Sequence, residues 1–386
     1  MFRLAATTFF GGEEILAGEL RSMGAQEINI RPSAVEFFGD DALMYKANLY
    51  CRTAFRILKP FSVFKVKDEN ELYKLCNEIA WEDFMTAEDT FAIESVSFHE
   101  KLNHTLYISQ KIKDAIADRF RDRIGKRPSV DLNNPRYLIH AFVEKEQCTL
   151  SFDSSGSSLH KRGYRISAVE APLNESLAAG LIMLSGWKAE KKFYDLMCGS
   201  GTFLIEAAML AMNIPPGIFR SGFGFQRWKD YDEKLWNEIV SKAKSEIKES
   251  IGIKITGSDI SADSVRAAVS NIRNAGLEKI ISVEKKSFDE FIPDGAGGTV
   301  IINPPYGGRL DDENLFALYS GAGNHMKKNF SGCDVWILTA NREAAKRIGL
   351  HPSKKIRIYN GPLECRFLKF EIYPGSRKKK YSEEAK

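Results

Sequence analysis

Hydrophobic and polar positions divide the chain into three segments. In the first, residues 1–60, a strand over 2–7 leads into a helix whose apolar positions recur three and four residues apart, until Gly24 ends it. Two strand-like stretches and another helix follow, so this segment is predicted to form a small α+β unit.

The second segment, residues 61–155, contains a long amphipathic helix. Charged residues fill its polar faces, and apolar side chains stand four residues apart at Ile108, Ile112, Ile116, Phe120 and Ile124. Two strands, YLIHAFVE and QCTLSFD, follow on either side of a tight turn. The stretch DSSGSSLHKRGYR then has the composition of a linker, because small residues lead into a basic cluster.

In the third segment, residues 160–376, helices and strands alternate almost to the end. Alternation of this kind is typical of an α/β fold with a doubly wound, Rossmann-like parallel sheet. The last strands differ, because KKIRIYNGPLECRFLKFEIY predicts a hairpin about Asn360-Gly361, so an antiparallel pair should close the sheet. A basic tail, residues 377–386, follows.

Composition limits the class of protein. A chain of 386 residues exceeds what one hydrophobic core supports, so two or three domains are expected. The content of 44% hydrophobic and 27% charged residues is ordinary for a globular protein, and no stretch reaches the roughly 18 apolar residues of a membrane span. The six cysteines are scattered without a CxxC pair, which predicts reduced thiols, a cytoplasmic location and no metal site.

The distribution of charge says more than the net charge of +4. Residues 101–127 carry eight Lys or Arg against three Asp, and the junction after residue 159 adds three more cations. Such clusters are compatible with nucleic-acid binding, although a solvated helix face explains them equally well. The candidate RNA-binding residues are Lys111, Lys113, Arg119, Arg123, Lys161, Arg162 and Arg165.

A glycine turn follows the first strand of the third segment. The run from Asp195 to Thr202, DLMCGSGT, leaves a strand and enters a helix. Glycines there allow a ligand to approach the backbone closely, and the helix start offers unpaired N–H groups. A lone GxG is a weak signal, and without a third glycine or a GKT it is neither a dinucleotide fingerprint nor a phosphate-binding loop.

Polar residues also stand at the ends of the next three strands. Asp259 could accept hydrogen bonds from a ribose diol or simply cap the following helix, and an adenine ring could lie on Phe288 and bond to Asp289. The fourth strand, TVII, is stopped by Asn303-Pro-Pro-Tyr306, and two prolines hold that end rigidly. The carboxyl ends of parallel strands meet at one sheet edge, so together these residues predict a ligand site.

Four motifs carry a resemblance to a known family. APLNESLAA, DLMCGSGTFLIEAA, GSDIS and NPPYGGRL resemble the bacterial 23S rRNA guanine-N2 methyltransferases that carry a THUMP domain and use S-adenosylmethionine. Residues 1–60 are similar to that family's ferredoxin-like unit, and residues 61–155 to its RNA-binding THUMP domain. Leu196 replaces a proline usual in the family. The chain also ends after one methyltransferase domain, which implies a single modification.

The resemblance implies roles for individual residues. Asn303 and Pro304 would accept the two N–H bonds of an exocyclic amine, Pro305 would hold them rigid, and Tyr306 would stack on the base. An insertion between Asn213 and Lys254 lengthens the usual spacing to Asp259, but the family includes such an insertion. The implied cofactor contacts are Asn174, Asp195, Cys198, Gly199, Ser200, Gly201, Thr202, Asp259, Ile260, Phe288, Asp289 and Asn303.

Three functions remain open from the sequence. The first is guanine-N2 methylation of 23S rRNA, free or in a ribosome assembly intermediate, with no membrane or metal partner. The second is methylation of tRNA guanine or of adenine N6 in DNA, since NPPY does not distinguish the bases. The third is a non-catalytic RNA-binding assembly factor. For the enzyme, residues 1–155 are expected to select the RNA, and the C-terminal domain alone to bind the cofactor.

Overall fold

The computed structural model describes residues 1–167, 172–295, 297–305 and 311–373. Contacts divide the chain into two compact units. The first comprises Met1–Thr8, Leu16–Leu159 and Arg220–Ser241, and the second comprises Phe9–Ile15, His160–Phe219 and the chain from Lys242 onward.

The first unit is built on one eight-stranded sheet. The elements as far as residue 153 are β1 Phe2–Thr8, α1 Glu13–Ser22, β2 Gln26–Arg31, β3 Ala34–Gly39, α2 Asp41–Tyr50, β4 Ala54–Lys65, α3 Glu69–Glu78, β5 Thr90–Phe98, α4 Thr105–Ile124, β6 Ser129–Val130, β7 Tyr137–Glu144 and β8 Gln147–Asp153. The strand order is β2-β3-β1-β4-β8-β7-β5-β6. The predicted ferredoxin-like and THUMP segments therefore contribute strands to one sheet.

Helix α4 forms where the apolar spacing predicts it. His104 caps its start by accepting the Tyr107 N–H, and Gly125 ends it at a φ of 75°, the left-handed conformation that glycine adopts without strain. The stripe is buried from Ile108 to Phe120, but Ile124, in the last turn, is half exposed. The charged faces of the helix therefore flank a buried stripe about three turns long.

The second unit contains the predicted doubly wound sheet. The remaining elements are α5 Glu175–Ser185, β9 Phe193–Asp195, α6 Thr202–Ala211, α7 Glu233–Ser245, β10 Ile255–Asp259, α8 Ala262–Asn274, β11 Ile281–Lys285, β12 Gly298–Ile302, α9 Asp312–Asn329, β13 Cys333–Thr339, α10 Arg342–Arg347, β14 Lys354–Asn360 and β15 Leu363–Glu371. The order is β11-β10-β9-β12-β13-β15-β14. The first five are parallel and the last two form an antiparallel hairpin, which confirms the predicted fold class.

Part of the insertion belongs to the first unit. The Phe225 ring stacks on Tyr45 with centroids 4.2 Å apart, and Trp236 meets Phe225 edge-on at 5.3 Å. These side chains are almost completely buried. The sequence predicts a continuous methyltransferase segment from residue 160, whereas the structure assigns Arg220–Ser241 to the other unit. The aromatic density of the insertion explains the difference, because such side chains require a core in which to pack.

Candidate active site at the carboxyl edge of the second sheet

Asn303 follows directly on the buried strand β12. Its Oδ1 atom is buried and, among the described residues, has no hydrogen-bond partner. The loop after Asn303 is held by α9, because the Tyr319 hydroxyl lies 3.4 Å from the Pro305 carbonyl oxygen and 2.8 Å from Thr339 Oγ1. Leaving a buried acceptor unsatisfied costs about 1 to 3 kcal/mol, so Asn303 is suited to accept a bond from a ligand. The predicted site residue Tyr306 lies outside the described residues.

The glycine turn is joined to the end of β10. Gly199 and Gly201 have φ values of 52° and 83°, which favour glycine, and a Cβ on Gly201 would lie 3.2 Å from the Ala268 side chain. The Cys198 N–H donates to the Ser258 carbonyl at 3.0 Å, and the Gly199 N–H donates to Asp259 Oδ2 at 2.9 Å. The turn therefore has a fixed shape that leaves its backbone close to the sheet edge.

Two carboxyl groups lie beside this turn. Burial raises the pKa of Asp195 well above its usual value, although the Met197 N–H hydrogen bond opposes the rise. Asp259 accepts the Gly199 N–H through Oδ2 and the Ser261 N–H through Oδ1, each at 2.9 Å. The cap of α8 is Ser261, so the predicted capping role of Asp259 is wrong. Asp259 instead holds the Gly199 turn. Its bond to a ribose stays a prediction, since each carboxylate oxygen can accept a further hydrogen bond.

Asp259→Ala is expected to weaken S-adenosylhomocysteine binding about five- to 150-fold, the equivalent of 1 to 3 kcal/mol for stranded hydrogen-bond partners. Calorimetric titration of the whole chain measures the affinity. A thermal melt should accompany it, because the same carboxylate also holds the Gly199 turn. Unchanged affinity in a folded variant would remove Asp259 from the cofactor site.

Phe288 requires a correction. The ring is only 6% exposed, stacks on Phe330 with centroids 5.6 Å apart and meets His325 edge-on. It therefore packs in the apolar core and, as described, offers no open face on which adenine could lie. Asp289 is exposed, and the Ser287 hydroxyl donates to it at 2.6 Å. A polar contact from Asp289 to the cofactor stays a prediction.

Four other predicted cofactor residues have identified environments. Asn174 caps α5 by accepting the Leu177 N–H at 3.0 Å, whereas Ile260 is 71% exposed beside Asp259. Ser200 and Thr202 are buried at the start of α6, and the Ser200 carbonyl accepts a bond from Asn271 at 3.0 Å. Their contacts with a cofactor stay predictions.

Two junction arginines are structural, which contradicts the predicted RNA contacts. Arg162 is 1% exposed, and its Nε lies 3.4 Å from Glu206 Oε1. Arg165 donates through Nη2 to Thr202 Oγ1 at 2.9 Å and lies 3.3 Å from Glu175. Burial raises the pKa of Glu175 to about 7 even though Arg165 opposes the rise. These groups hold the start of α6 beneath the glycine turn, while the exposed Lys161 stays a predicted RNA contact.

A sequence signal for this buried network exists. Glu206 is the only charged residue in GTFLIEAAMLAM, an otherwise apolar helix, and a buried acid of this kind needs a cationic or hydrogen-bonding partner. The Tyr164 hydroxyl donates to Glu206 Oε1 at 3.0 Å and supplies one such bond. The junction cations should therefore have been paired with this acid.

Arg119, predicted to bind RNA, is also structural. Its Nε and Nη2 atoms donate to both carboxylate oxygens of Glu82 at 2.8 and 2.6 Å, and Nη1 donates to the Asn77 carbonyl at 2.9 Å. The bond from Arg119 lowers the pKa of Glu82 to about 2. Arg119 fails as an RNA contact because it is only 9% exposed and its guanidinium group bonds to Glu82 and to the Asn77 carbonyl. Lys111, Lys113 and Arg123 are at least partly exposed and stay predictions.

A metal site and a membrane span are both absent from the part of the chain that the structure describes. No group of three His, Cys, Asp or Glu side chains in those ranges could hold a metal ion. No described helix is both long enough and apolar enough to cross a membrane.

A parallel sheet with a glycine turn, an acidic strand end and Asn-Pro-Pro at one edge defines an S-adenosylmethionine-dependent methyltransferase, and comparison with known proteins supplies the family. Residues 162–369 match the methyltransferase domain described as RMKL-like, residues 66–153 the THUMP domain and residues 3–58 the RlmL ferredoxin-like domain. The first match covers more than half of the chain. The chain belongs to the RMKL-like methyltransferase family.

Two similar relatives differ in length. "Putative RNA methyltransferase slr0064" of Synechocystis is 38% identical over 369 residues, which cover 95% of this chain and 96% of the relative. "Ribosomal RNA large subunit methyltransferase K/L" of Syntrophotalea carbinolica is 37% identical, over 95% of this chain and 53% of the relative. The chain therefore spans about half the length of that second relative.

Two solved structures share the fold along almost the whole chain. The crystal structure of SMU.472, "a putative methyltransferase complexed with SAH", is 32% identical with a TM-score of 0.87, and the match covers 97% of this chain and 99% of that one. A "predicted N6-adenine-specific DNA methylase" from Listeria monocytogenes is 30% identical with a TM-score of 0.84, over 97% and 96%. The names of these relatives disagree about the nucleic acid.

The residues at the edge fit the cofactor S-adenosylmethionine. The turn at Gly199 and Gly201 admits a ligand close to the backbone, and Asp259 keeps acceptor capacity at the next strand end. The unsatisfied Asn303 oxygen follows β12, on the other side of β9 from the end of β10. The glycine turn, together with Asp195 and Asp259, would hold the cofactor. Asn303 would face the base that accepts the methyl group.

Proposed function

We propose that this chain transfers a methyl group from S-adenosylmethionine to the exocyclic N2 amine of a guanine in 23S rRNA. The observation that carries the proposal is the buried, unsatisfied Asn303 Oδ1 at the carboxyl end of β12. A buried acceptor held between a rigid strand end and two prolines is suited to an N–H donor from a planar base. The cytoplasmic location expected from the sequence is part of this proposal.

The reaction has to overcome the weak nucleophilicity of the amine. Its lone pair is delocalised into the base ring, so an attacking geometry requires the nitrogen to become pyramidal. Asn303 Oδ1 and the Pro304 carbonyl would accept its two N–H bonds and hold the lone pair out of the ring plane. When bound, S-adenosylmethionine supplies the electrophilic methyl group. Fixed dipoles and positioning supply the rate enhancement without a strong base.

Base access is the second requirement. A guanine in a helix cannot reach a pocket at a sheet edge, so the target has to be unpaired or flipped out of its stack. Stacking of the base on Tyr306 belongs to this proposal and rests on the sequence, since that residue lies outside the described ranges.

RNA is favoured over DNA as the substrate. The THUMP match at residues 66–153 and the rRNA methyltransferase name of the longer relative support RNA, which proteins recognise through shape and single-stranded elements. The DNA methylase name of the Listeria structure supports adenine N6 as the alternative, and tRNA guanine is a further one. A fixed glycine turn together with an unsatisfied Asn303 argues against a non-catalytic factor.

Nucleoside analysis tests the proposal. Large-subunit RNA, tRNA and genomic DNA from cells lacking the gene would each be digested and compared by mass spectrometry with the parent. The expected result is loss of N2-methylguanosine from large-subunit RNA alone, restored by the wild-type gene. Loss of N6-methyladenine from DNA, or of N2-methylguanosine from tRNA only, would contradict it.

The partly or fully exposed cations of the α4 region are expected to bind RNA phosphates. Reversing the charge of Lys113, Arg123 and Lys126 together should weaken RNA binding and lower the slope of log affinity against log salt by about 0.7 per lost contact. A filter-binding salt titration measures both, and cofactor affinity should not change. Arg119 is left intact because it pairs with Glu82.

The control makes the same change of charge elsewhere. Lys234, Lys242 and Lys244 are exposed on α7, so reversing those three alters the net charge equally. If both triple variants lose the same affinity and slope, the effect is general electrostatics, and α4 is not the RNA-binding element.

A further inference from the structure

Three arginines and two aromatic rings gather where the antiparallel hairpin meets the carboxyl edge of the second sheet. They play no part in the reaction described above. This rim cluster consists of Phe10, Arg342, Arg357, Tyr359 and Arg366, all within the second unit.

The centre of the rim cluster is a guanidinium between two rings. Arg357 Cζ lies 5.1 Å from the Phe10 centroid and 5.7 Å from that of Tyr359, and the two rings are 5.5 Å apart at 86°. Phe10 is 39% exposed and Arg357 is exposed, so this arrangement faces solvent. Gly11, at a φ of 90°, permits the close approach, because a Cβ there would lie 3.2 Å from Ile358 Cδ1.

The rim cluster carries excess positive charge. Arg342 and Arg366 both reach Glu364 Oε1, at 2.6 and 3.0 Å. The bond from Arg342 lowers the pKa of Glu364, and the charges of Arg366 and Arg357 lower it further. Three guanidinium groups therefore surround one carboxylate, which leaves two positive charges beside two aromatic rings.

Strand register relates the rim cluster to Asn303. Ile302 pairs with Ile337 in the parallel part of the sheet, so Pro304 and Thr339 stand two residues further, at the carboxyl edge. Thr339 pairs with Arg366, and Arg366 with Arg357. At about 4.8 Å between strands, Arg366 lies roughly 10 Å and Arg357 roughly 14 Å from the end of β12. Thr339, Arg366 and Arg357 project from one face of the sheet because they are paired. Asn303 stands one residue before Pro304, so the register places it at the same carboxyl edge as the rim cluster without assigning its side chain to that face.

We propose that the rim cluster binds the single-stranded RNA adjacent to the target base. The inference rests on the proposed function, because it takes the methylated base to lie at Asn303. When the target base leaves its helix, the nucleotides beside it in the strand follow at about 3.4 Å per stacked nucleotide. The distances of roughly 10 to 14 Å from the end of β12 to Arg366 and Arg357 therefore correspond to about three or four nucleotides. Aromatic faces and guanidinium planes stack on such unpaired bases, and the arginine N–H groups bind phosphate.

A purely structural role is the competing explanation. Phe10, Arg357 and Tyr359 would then only fasten the segment of residues 9–15 to β14. That role predicts loss of stability on mutation without any change in RNA affinity. Arg366 and Arg342 separate the two explanations. Among the described cation–ring contacts only Arg357 lies over Phe10, and Arg342 and Arg366 bond instead to Glu364 at the exposed end of the hairpin.

The experiment uses the full chain and four variants: Arg357→Ala/Arg366→Ala, Arg342→Ala, Phe10→Ala and Arg357→Lys. Arg266→Ala is the matched control, because this exposed arginine lies on α8 beside β10 and β11, across the sheet from the hairpin. A fluorescent single-stranded RNA and unmethylated large-subunit rRNA are the probes. The double variant should bind both RNAs about tenfold more weakly, with a salt slope lower by about 1.4 for two contacts.

The remaining variants refine the result. Phe10→Ala should weaken RNA binding about fivefold through lost stacking, and Arg342→Ala should lower the salt slope by about 0.7. Arg357→Lys keeps the charge and should retain the salt slope while losing part of the affinity. For rRNA methylation, KM should rise with little change in kcat. S-adenosylhomocysteine affinity and the melting temperature of Arg342→Ala should match wild type.

Two outcomes would overturn the inference. One is that the double and Arg342 variants have the same RNA affinity and KM as Arg266→Ala. The other uses a DNA strand of the same sequence as a third probe, and it is that the variants lose more affinity for this DNA than for the RNA. Failure of the proposed function would look different. Wild-type protein would then leave rRNA unmethylated, while the binding measurements would still decide whether the rim cluster contacts RNA.

Discussion

Asn303→Ala is expected to lower the rate of methyl transfer about a hundredfold or more while S-adenosylmethionine affinity stays nearly unchanged. The physical reason is the loss of one fixed acceptor at the position where the amine must become pyramidal, an effect of the size seen when a preorganised polar group is removed. Single-turnover transfer of labelled methyl groups to unmethylated large-subunit rRNA measures the rate. Calorimetric titration with S-adenosylhomocysteine measures the affinity.

A stability measurement makes this prediction specific. The Asn303 oxygen has no partner among the described residues, so its removal should leave the melting temperature unchanged or slightly raised. Asn314→Ala is the control, because that asparagine is exposed in the first turn of α9 and bonds only to its cap Asp311 among the contacts described. Near-normal turnover by Asn303→Ala would end the acceptor role and reduce the Asn-Pro-Pro sequence to a loop.

The sheet and its edge could be predicted because their signals are local and repeated. A run of five buried residues ends at Ile302, polar groups follow each parallel strand, and Asn360-Gly361 marks the hairpin. The carboxyl ends of parallel strands lie at one edge of the sheet, so residues that follow different strands in the sequence come together in space. The fixed glycine turn at Gly199 and the unsatisfied Asn303 both lie where that argument put them.

Side-chain partners were less predictable, because charge along a sequence does not reveal burial. Arg119, Arg162 and Arg165 all read as surface cations, yet each pairs with a carboxylate far away in sequence or on the next helix. A buried arginine needs such a partner, and the partner is fixed only by tertiary packing. Phe288 fails for the same reason, since its stacking on Phe330 depends on where α9 ends.

The insertion between Asn213 and Lys254 changes what is expected of a fragment that lacks residues 1–159. The sequence suggests that residues 160–386 alone should bind cofactor and fail only on the RNA. The structure, however, buries Phe223, Phe225 and Trp236 of the insertion in the first unit, with exposures of 5%, 0% and 9%. Removing residues 1–159 takes away Tyr45, on which Phe225 stacks.

A fragment of residues 160–386 is therefore expected to aggregate and to lose measurable S-adenosylhomocysteine binding. Exposing three aromatic side chains costs about 1.5 to 3 kcal/mol each, a sum comparable to the roughly 5 to 15 kcal/mol that stabilises a whole domain. Light scattering, far-ultraviolet circular dichroism and calorimetric titration of the fragment against the whole chain measure the outcome.

The matched comparison is the same fragment with Arg220–Ser241 replaced by a short Gly/Ser linker. It lacks the same front end but no longer carries the stranded aromatic residues, so it should be more soluble than the unmodified fragment and recover part of the cofactor binding. Selection of the RNA by the front end can then be tested on a folded protein. If the unmodified fragment is monomeric and binds S-adenosylhomocysteine as tightly as the whole chain, the aromatic insertion does not depend on the front end, and the coupling inferred from its burial is wrong.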